Sequence, residues 1–317
     1  MNSKVFNFIY FLLIALICLI GLDFFQSNNQ FDKYKVPSHY KEVCEYYFDN
    51  SIEENIEFQY KKITYSFNNE QCDYIISNYD RTGSFYLFYY KIITNSFFNW
   101  IFPLFVPVII IIPVLFHLSK EFKSGYMLHF LQRKTYKEYI LYLFKTAYKW
   151  FYPIFLILIF IICCSLWQCN GNFDPLIDIY NGYLGSECMF FVNNFVNFFI
   201  YFLVILFNIF MYINICLVFL LYFKDFFASC FVSCITIYIF NFITYGFAEL
   251  ITGVPGESIS MFSIYTWNGV ISPLLYLLFA FIYYLITLFF VYLSYRNKEK
   301  VIGLYEVWYE ICNKRFM

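Results

Sequence analysis

Charge is what this chain has least of. Lys, Arg, Asp and Glu make up 14% of its 317 residues, against 61% hydrophobic residues and a mean hydropathy of +0.59. A soluble domain carries about 25% charged and roughly 45–50% apolar residues. A water-soluble fold of this size therefore has too little polar surface to cover so much apolar chain. The opposite charges nearly cancel, 21 basic against 22 acidic, which leaves no basic excess to hold nucleic acid. Histidine is nearly missing, with three residues, and there is neither a His-Glu-x-x-His zinc pattern nor a Gly-x-Ser-x-Gly elbow. The Gly-x-x-x-x-Gly-Lys-[Ser/Thr] phosphate loop is absent too. Neither a catalytic residue, a metal site nor a cofactor is expected in this chain, and it is not expected to be an enzyme.

What is present in abundance is long apolar sequence. Six stretches of about 20 residues lack Lys, Arg, Asp and Glu: 5–22, 97–118, 150–167, 190–223, 226–248 and 273–295. They predict an all-α polytopic membrane protein with six transmembrane helices. The first stretch is longer than the ~7–15 residues of a signal-peptide core and ends without a small-x-small cleavage pattern, so it reads as an uncleaved anchor. Part of the excess of Phe (45) and Tyr (33) reads as the codon bias of an AT-rich genome.

Orientation follows from the basic residues. Segment 119–149 holds seven and the tail 296–317 holds five, with Lys4 and Lys224 on the same side. The loops 168–189 and 249–272 hold none. Both termini are expected in the cytoplasm, in a cell membrane. The domain plan is then 1–22 first span, 23–96 extracellular, 97–118 second span, 119–149 cytoplasmic helices, 150–295 spans three to six, and 296–317 cytoplasmic tail.

Segment 23–96 contains 11 of the 22 acids. Alternating runs around 56–60 and 62–67 predict half-buried strands, hence a small α+β extracellular domain between the first two spans. Four cysteines lie on the outer side in pairs: Cys44 and Cys72, then Cys169 and Cys188. An oxidising face permits disulfides Cys44–Cys72 and Cys169–Cys188, with free thiols as the alternative. Segment 249–272, with Gly253, Pro255 and Gly256, reads either as a re-entrant hairpin or as a surface loop.

The densest local pattern is in 119–149. Thr135-x-x-Glu138 is a capping box, followed by apolar positions Tyr136, Tyr139, Ile140, Leu143 and Phe144 at helical spacing. Lys137, Lys145 and Lys149 fall off that stripe. A short, partly apolar unit at 121–131, with Gly125 inside it, precedes this amphipathic helix. The result is a handle projecting from the bundle, followed by a helix that runs along the surface and bends into the third span.

This pattern resembles the segment after the second span of type-2 ABC transporter permeases. Glu121, Gly125, Leu128, Leu131, Arg133, Glu138 and Lys145 match it. Tyr126 stands where Thr is usual, the turn 133–135 lacks the common proline, and the spacing to Lys145 needs a one-residue gap. The resemblance implies that 121–131 is a coupling helix docked on a separate ABC ATPase subunit, which would bind ATP and Mg. It also implies a second permease protomer, identical or different, and export driven by rigid-body motion. The substrate would be a peptide, an amphiphile, a drug or an ion. A different reading makes the chain a non-transport membrane sensor or anchor with a ligand-binding ectodomain.

Asparagines supply most of the polarity inside the spans. Asn193, Asn197 and Asn208 fall near one helix face and are candidates for a translocation path or for interhelical bonds. Asn214 points elsewhere on that helix. Asn241 and Thr244 are ambiguous. Pro103, Pro107 and Pro113 are expected to kink or loosen the second span. His117 and Glu121, four apart, share a face at the membrane end, where a hydrogen-bonding role is expected over metal binding.

Overall fold

The chain's architecture follows from which helices bury all of their circumference and which bury a stripe. The structure is a computed structural model that describes residues 3–28, 38–49, 58–60, 63–65, 72–73, 76–77, 85–94, 102–171, 173, 194–223, 226–253, 272–297 and 301–303. In order, these form α1 (Ser3–Asn28), α2 (Ser38–Asp49), β1 (Phe58–Tyr60), β2 (Ile63–Tyr65), α3 (Phe85–Thr94), α4 (Phe102–Lys123), α5 (Tyr126–Leu131), α6 (Tyr136–Tyr148), a 3-10 turn (Lys149–Phe151), α7 (Tyr152–Gln168), α8 (Asn194–Tyr222), α9 (Phe226–Thr252) and α10 (Pro273–Tyr295).

Five helices are long and apolar enough to cross a membrane: Phe102–Lys123, the joined Tyr136–Gln168, Val196–Tyr222, Phe226–Gly246 and Pro273–Tyr295. In α1 the apolar stretch Tyr10–Gly21 is shorter than a span. The centre of the bundle is α8, which packs on α4, α9 and, most extensively, α10. Residues 211–217 of α8 are buried without interruption, as expected for a helix apolar all round. The peripheral helices bury stripes. Helix α1 buries Phe6, Tyr10, Ile14 and Cys18 at every fourth position, while Leu12, Leu13, Leu16 and Leu19 are exposed. Helix α9 leaves Phe227, Phe231, Ile239 and Phe242 exposed. A surface built of such side chains is suited to lipid and unsuited to water. The architecture is that of a multi-pass helical membrane protein.

Prolines Pro107 and Pro113 lie inside α4, and the helix continues through both. A proline at 113 cannot donate to the carbonyl of Ile109; the Tyr10 hydroxyl donates to that carbonyl from α1. The Tyr238 hydroxyl of α9 donates to Leu104 O at 2.6 Å, in the turn before Pro107. Neighbouring helices thus supply donors to the region that the prolines weaken, the arrangement that makes proline tolerable at membrane depth.

In the segment between α1 and α4, β1 and β2 pair antiparallel, with Phe58 opposite Tyr65 and Tyr60 opposite Ile63. These are the strands anticipated from the alternating pattern. Cys44 of α2 and Cys72 form a disulfide with Cα atoms 5.1 Å apart. Helix α3, inside the segment read as extracellular from its polarity, buries Phe85, Phe88, Tyr89, Ile92 and Ile93. It packs on α7 and sets Tyr89 5.0 Å from Phe198 of α8. The polar part of that segment therefore ends before α3, which shares the core of the spanning helices. Cys169 is buried and its thiol donates to Leu166 O at 3.4 Å; Cys188, its expected partner, lies outside the described residues. So does 254–271, most of the expected re-entrant hairpin. Helix α9 ends at Gly253, whose φ of 63° is left-handed and whose N–H donates to Glu249 O at 3.0 Å, a glycine stop.

Candidate functional site

At one end of the bundle the chain leaves α4, makes the six-residue helix α5, turns, and returns as α6. The departure is set by Gly125. Its φ of 68° and ψ of 14° are left-handed, a conformation that costs a side-chain-bearing residue roughly 1–2 kcal/mol. The Gly125 N–H donates to Phe122 O at 3.3 Å and its carbonyl accepts from Leu128 N at 3.0 Å. Gly125 is thus the junction between two helices. Glu121 belongs to the last turns of α4, not to the short helix. The 121–131 unit read from sequence is divided at that glycine, because the break needs φ > 0.

The return is set by Thr135. Its hydroxyl accepts from Glu138 N at 3.3 Å, and the Glu138 carboxylate accepts from Thr135 N at 2.8 Å, completing the capping box. Lys134 lies 3.7 Å from the same carboxylate. Both groups are exposed, so solvent screens the ion pair and the capping hydrogen bonds define the turn.

One contact ties the hairpin to the preceding span and another braces its two helices against each other. The Tyr142 hydroxyl on α6 donates to Glu121 Oε1 at 2.9 Å. The rings of Tyr126, Phe130 and Tyr142 form a cluster with centroids 5.5–5.9 Å apart. Met127 is fully buried beneath α5, while Tyr126 and His129 face outward. Leu128 and Leu131 are partly buried against the core. Arg133 and Lys145 are exposed, as is every other Lys of 119–149, so this end carries a basic collar. His117 does not act with Glu121. Its Nε2 is 3.2 Å from Asn7 Oδ1 on α1, and its ring stacks on Trp150 at 4.8 Å. Among the described residues no cluster of three or more His, Cys, Asp or Glu could hold a metal ion.

Helix α6 reaches the third span through a bend. Trp150 has non-helical φ/ψ (−79°, 15°) within the 3-10 turn Lys149–Phe151, and Lys149 Nζ sits 5.9 Å from the Trp150 ring centroid. Just before the bend, the Tyr148 hydroxyl donates to Asn214 Oδ1 at 2.6 Å, and Asn214 Nδ2 donates to Thr287 Oγ1 at 3.1 Å. This fully buried amide joins α6, α8 and α10. Of the asparagines picked from sequence, Asn208 is buried, Asn197 is half-buried and Asn193 lies outside the described residues. Asn214 lies off their helix face, so spacing alone does not select it. Face reasoning misses it because α8 is enclosed on all sides there. A helix without a lipid face can bury a polar group in any direction, and the signal for one is the amide itself within a wholly apolar run.

The described features define a class, a multi-pass helical membrane protein with a basic, aromatic-braced helical hairpin at one end. No family model, no curated protein and no solved structure matches this chain.

Proposed function

We propose that the chain is the transmembrane permease subunit of an ATP-driven ABC-type exporter. In this reading α5 is the coupling helix, seated on a separate ATPase subunit that carries ATP and Mg. Two permease protomers form the path, and both termini lie in the cytoplasm. Helix α1 counts as the sixth span: its buried stripe every fourth residue, opposite exposed leucines, is how a membrane helix on the rim of a bundle presents itself. The hairpin β1–β2, α2 and the Cys44–Cys72 disulfide then belong to a small outer domain.

The observation that carries the reading is the bracing of the hairpin. A coupling element must pass force on as a rigid body. Here a six-residue helix protrudes, yet it is tied at its base by Tyr142–Glu121 and by the ring cluster. The route onward is short: α6 carries Tyr142 and also Tyr148, and Tyr148 holds Asn214, which holds Thr287. A push on α5 is thereby linked to the packing of α8 against α10. Asn193, Asn197 and Asn208 remain the candidates for the path.

The test is site-specific crosslinking from 126–131 in native membranes, followed by purification in mild detergent. Capture of a soluble ATPase through those positions supports the exporter. Folded protein without an ATPase, under conditions in which a known transporter retains its own, favours a membrane sensor or anchor.

A further inference from the structure

The stripe on α6 does two jobs. Tyr139, Leu143 and Ala147 are buried in the core, whereas Tyr136, Ile140 and Phe144 are only partly covered. The second set lines a cavity of about 740 Å³ whose other wall is α10, from Leu285 to Arg296. That volume is within the roughly 300–1,000 Å³ of small-molecule sites.

The groove is polar at one end only. The Tyr136 hydroxyl donates to Tyr295 O at 2.8 Å, which brings the start of α6 against the end of α10. Lys137 and Arg296, each next to one of these tyrosines in sequence, line the cavity at that same end. Both are exposed, and no described carboxylate forms an ion pair with either. Glu138 is not in the lining: its carboxylate is turned back to Thr135 and Lys134. Away from the cations the lining is aliphatic and aromatic. Leu285 and Arg296 are eleven residues apart on one helix, about 16 Å at ~1.5 Å per residue, or close to half of a ~30 Å hydrocarbon core.

We propose that this groove binds an anionic glycerophospholipid of the surrounding bilayer, its phosphate held by Lys137 and Arg296 and an acyl chain lying along Phe144, Leu285 and Phe289. The arginine fork and the lysine point charge are complementary to phosphate oxygens. Basic pockets between membrane helices hold lipid headgroups for the same reason. Free phosphate would leave the apolar length empty, and an apolar helix would strip water from two cations without pairing them. The lipid satisfies both ends and spans one leaflet. The inference requires only that the chain sits in a membrane, so it stands or falls separately from the exporter reading.

The test uses the full chain purified in mild detergent, with phosphatidylglycerol or phosphatidylcholine added in equal amounts and retained lipid counted by native mass spectrometry. Wild-type protein is expected to retain phosphatidylglycerol in preference. Lys137→Gln and Arg296→Gln are each expected to reduce that preference about fivefold, the factor for one cation at an anionic headgroup, and the double variant to approach parity. Leu288→Trp, which fills the groove without changing charge, is expected to abolish retention. Lys123→Gln, outside the groove, is expected to leave it unchanged, and melting curves check that every variant is folded. Equal retention of the two lipids by wild type overturns the proposal. So does an equal loss in Lys123→Gln, which would assign the effect to the basic collar as a whole. Efficient crosslinking between two copies through Phe289→Cys would overturn it as well, by putting a second chain in the groove.

Discussion

The hydroxyl of Tyr142 donates to the carboxylate of Glu121 across 2.9 Å, joining the return helix of the hairpin to the end of the span before it. The two residues are 21 positions apart and the bond is partly buried. A hydrogen bond to a charged group contributes about 1.5–3 kcal/mol where desolvated, and about 1 kcal/mol is the better figure for a pair this accessible to water. Glu121→Ala and Tyr142→Phe should each lower the melting temperature slightly and, on the exporter reading proposed above, impair export more than stability. Because they share this bond, the double variant should lose less than the sum of the two single losses. A double-mutant cycle read in both a melting assay and an export assay checks this, and full additivity would separate the two residues.

Gly125 tests the geometry of the hairpin. Its left-handed φ of 68° penalises Ala by roughly 1–2 kcal/mol. Asn, which tolerates that region, should cost less. Gly125→Pro is incompatible, since proline holds φ near −65° and removes the N–H that bonds Phe122 O. On the proposed exporter reading the order of export is Gly, then Asn, Ala and Pro, with membrane expression of Gly125→Asn near wild type. Normal export by Gly125→Pro would overturn the coupling role proposed for this helix.

The capping box can be taken apart one side at a time. Thr135→Ala should destabilise the start of α6 by about 1 kcal/mol. Glu138→Gln should be milder, because Gln serves at the same position of a capping box. Hydrogen exchange over residues 136–140 reports the fraying directly. Equal effects of the two substitutions would point to charge rather than capping.

Asn214 is the buried amide between Tyr148 and Thr287. Interhelical bonds of this kind in a membrane average about 0.6 kcal/mol and reach about 2. Asn214→Leu should therefore cost about 1–2 kcal/mol, since it also leaves two hydroxyls to find new partners. Asn214→Asp, with a similar shape, would test whether the site tolerates charge. Reversible unfolding in detergent measures both. No change in Asn214→Leu would show that the tie does not hold the three helices together.

The Cys44–Cys72 disulfide closes a segment with a sequence separation of 28. By chain entropy a loop of that length is stabilised by about 3–4 kcal/mol. Reduction, or Cys44→Ser with Cys72→Ser, should loosen α2 and the β hairpin and leave the spanning helices intact. Circular dichroism should keep most of its helical signal while proteolysis between α1 and α3 accelerates. Loss of the whole helical signal would instead tie the bundle's stability to this bond.

Much of the bundle was legible from composition because a span is a local property: about 20 residues without charge must leave water. The capping box was equally local, and so was its amphipathic helix. The position of Glu121 was not. The residues after it read as one short unit, and whether a helix runs through them or breaks depends on one backbone angle at Gly125. By spacing the stripe on α6 is one face, but packing divides it into a core-facing row and a groove-facing row, since which row is covered depends on the neighbour that approaches.

The sequence alone determined that the chain is helical and membrane-bound, that charge gathers at 119–149, and that Thr135 starts a helix. Tertiary structure decided which polar groups meet: Tyr10 with the carbonyl that Pro113 leaves without a donor, Tyr142 with Glu121, and Asn214 with Tyr148 and Thr287; it also set Lys137 and Arg296 in the lining of one groove. Hydropathy acts on each segment separately, so it can be read in order along the chain. A hydrogen bond between residues far apart in sequence exists only after helices have packed, and no local pattern of residues encodes it.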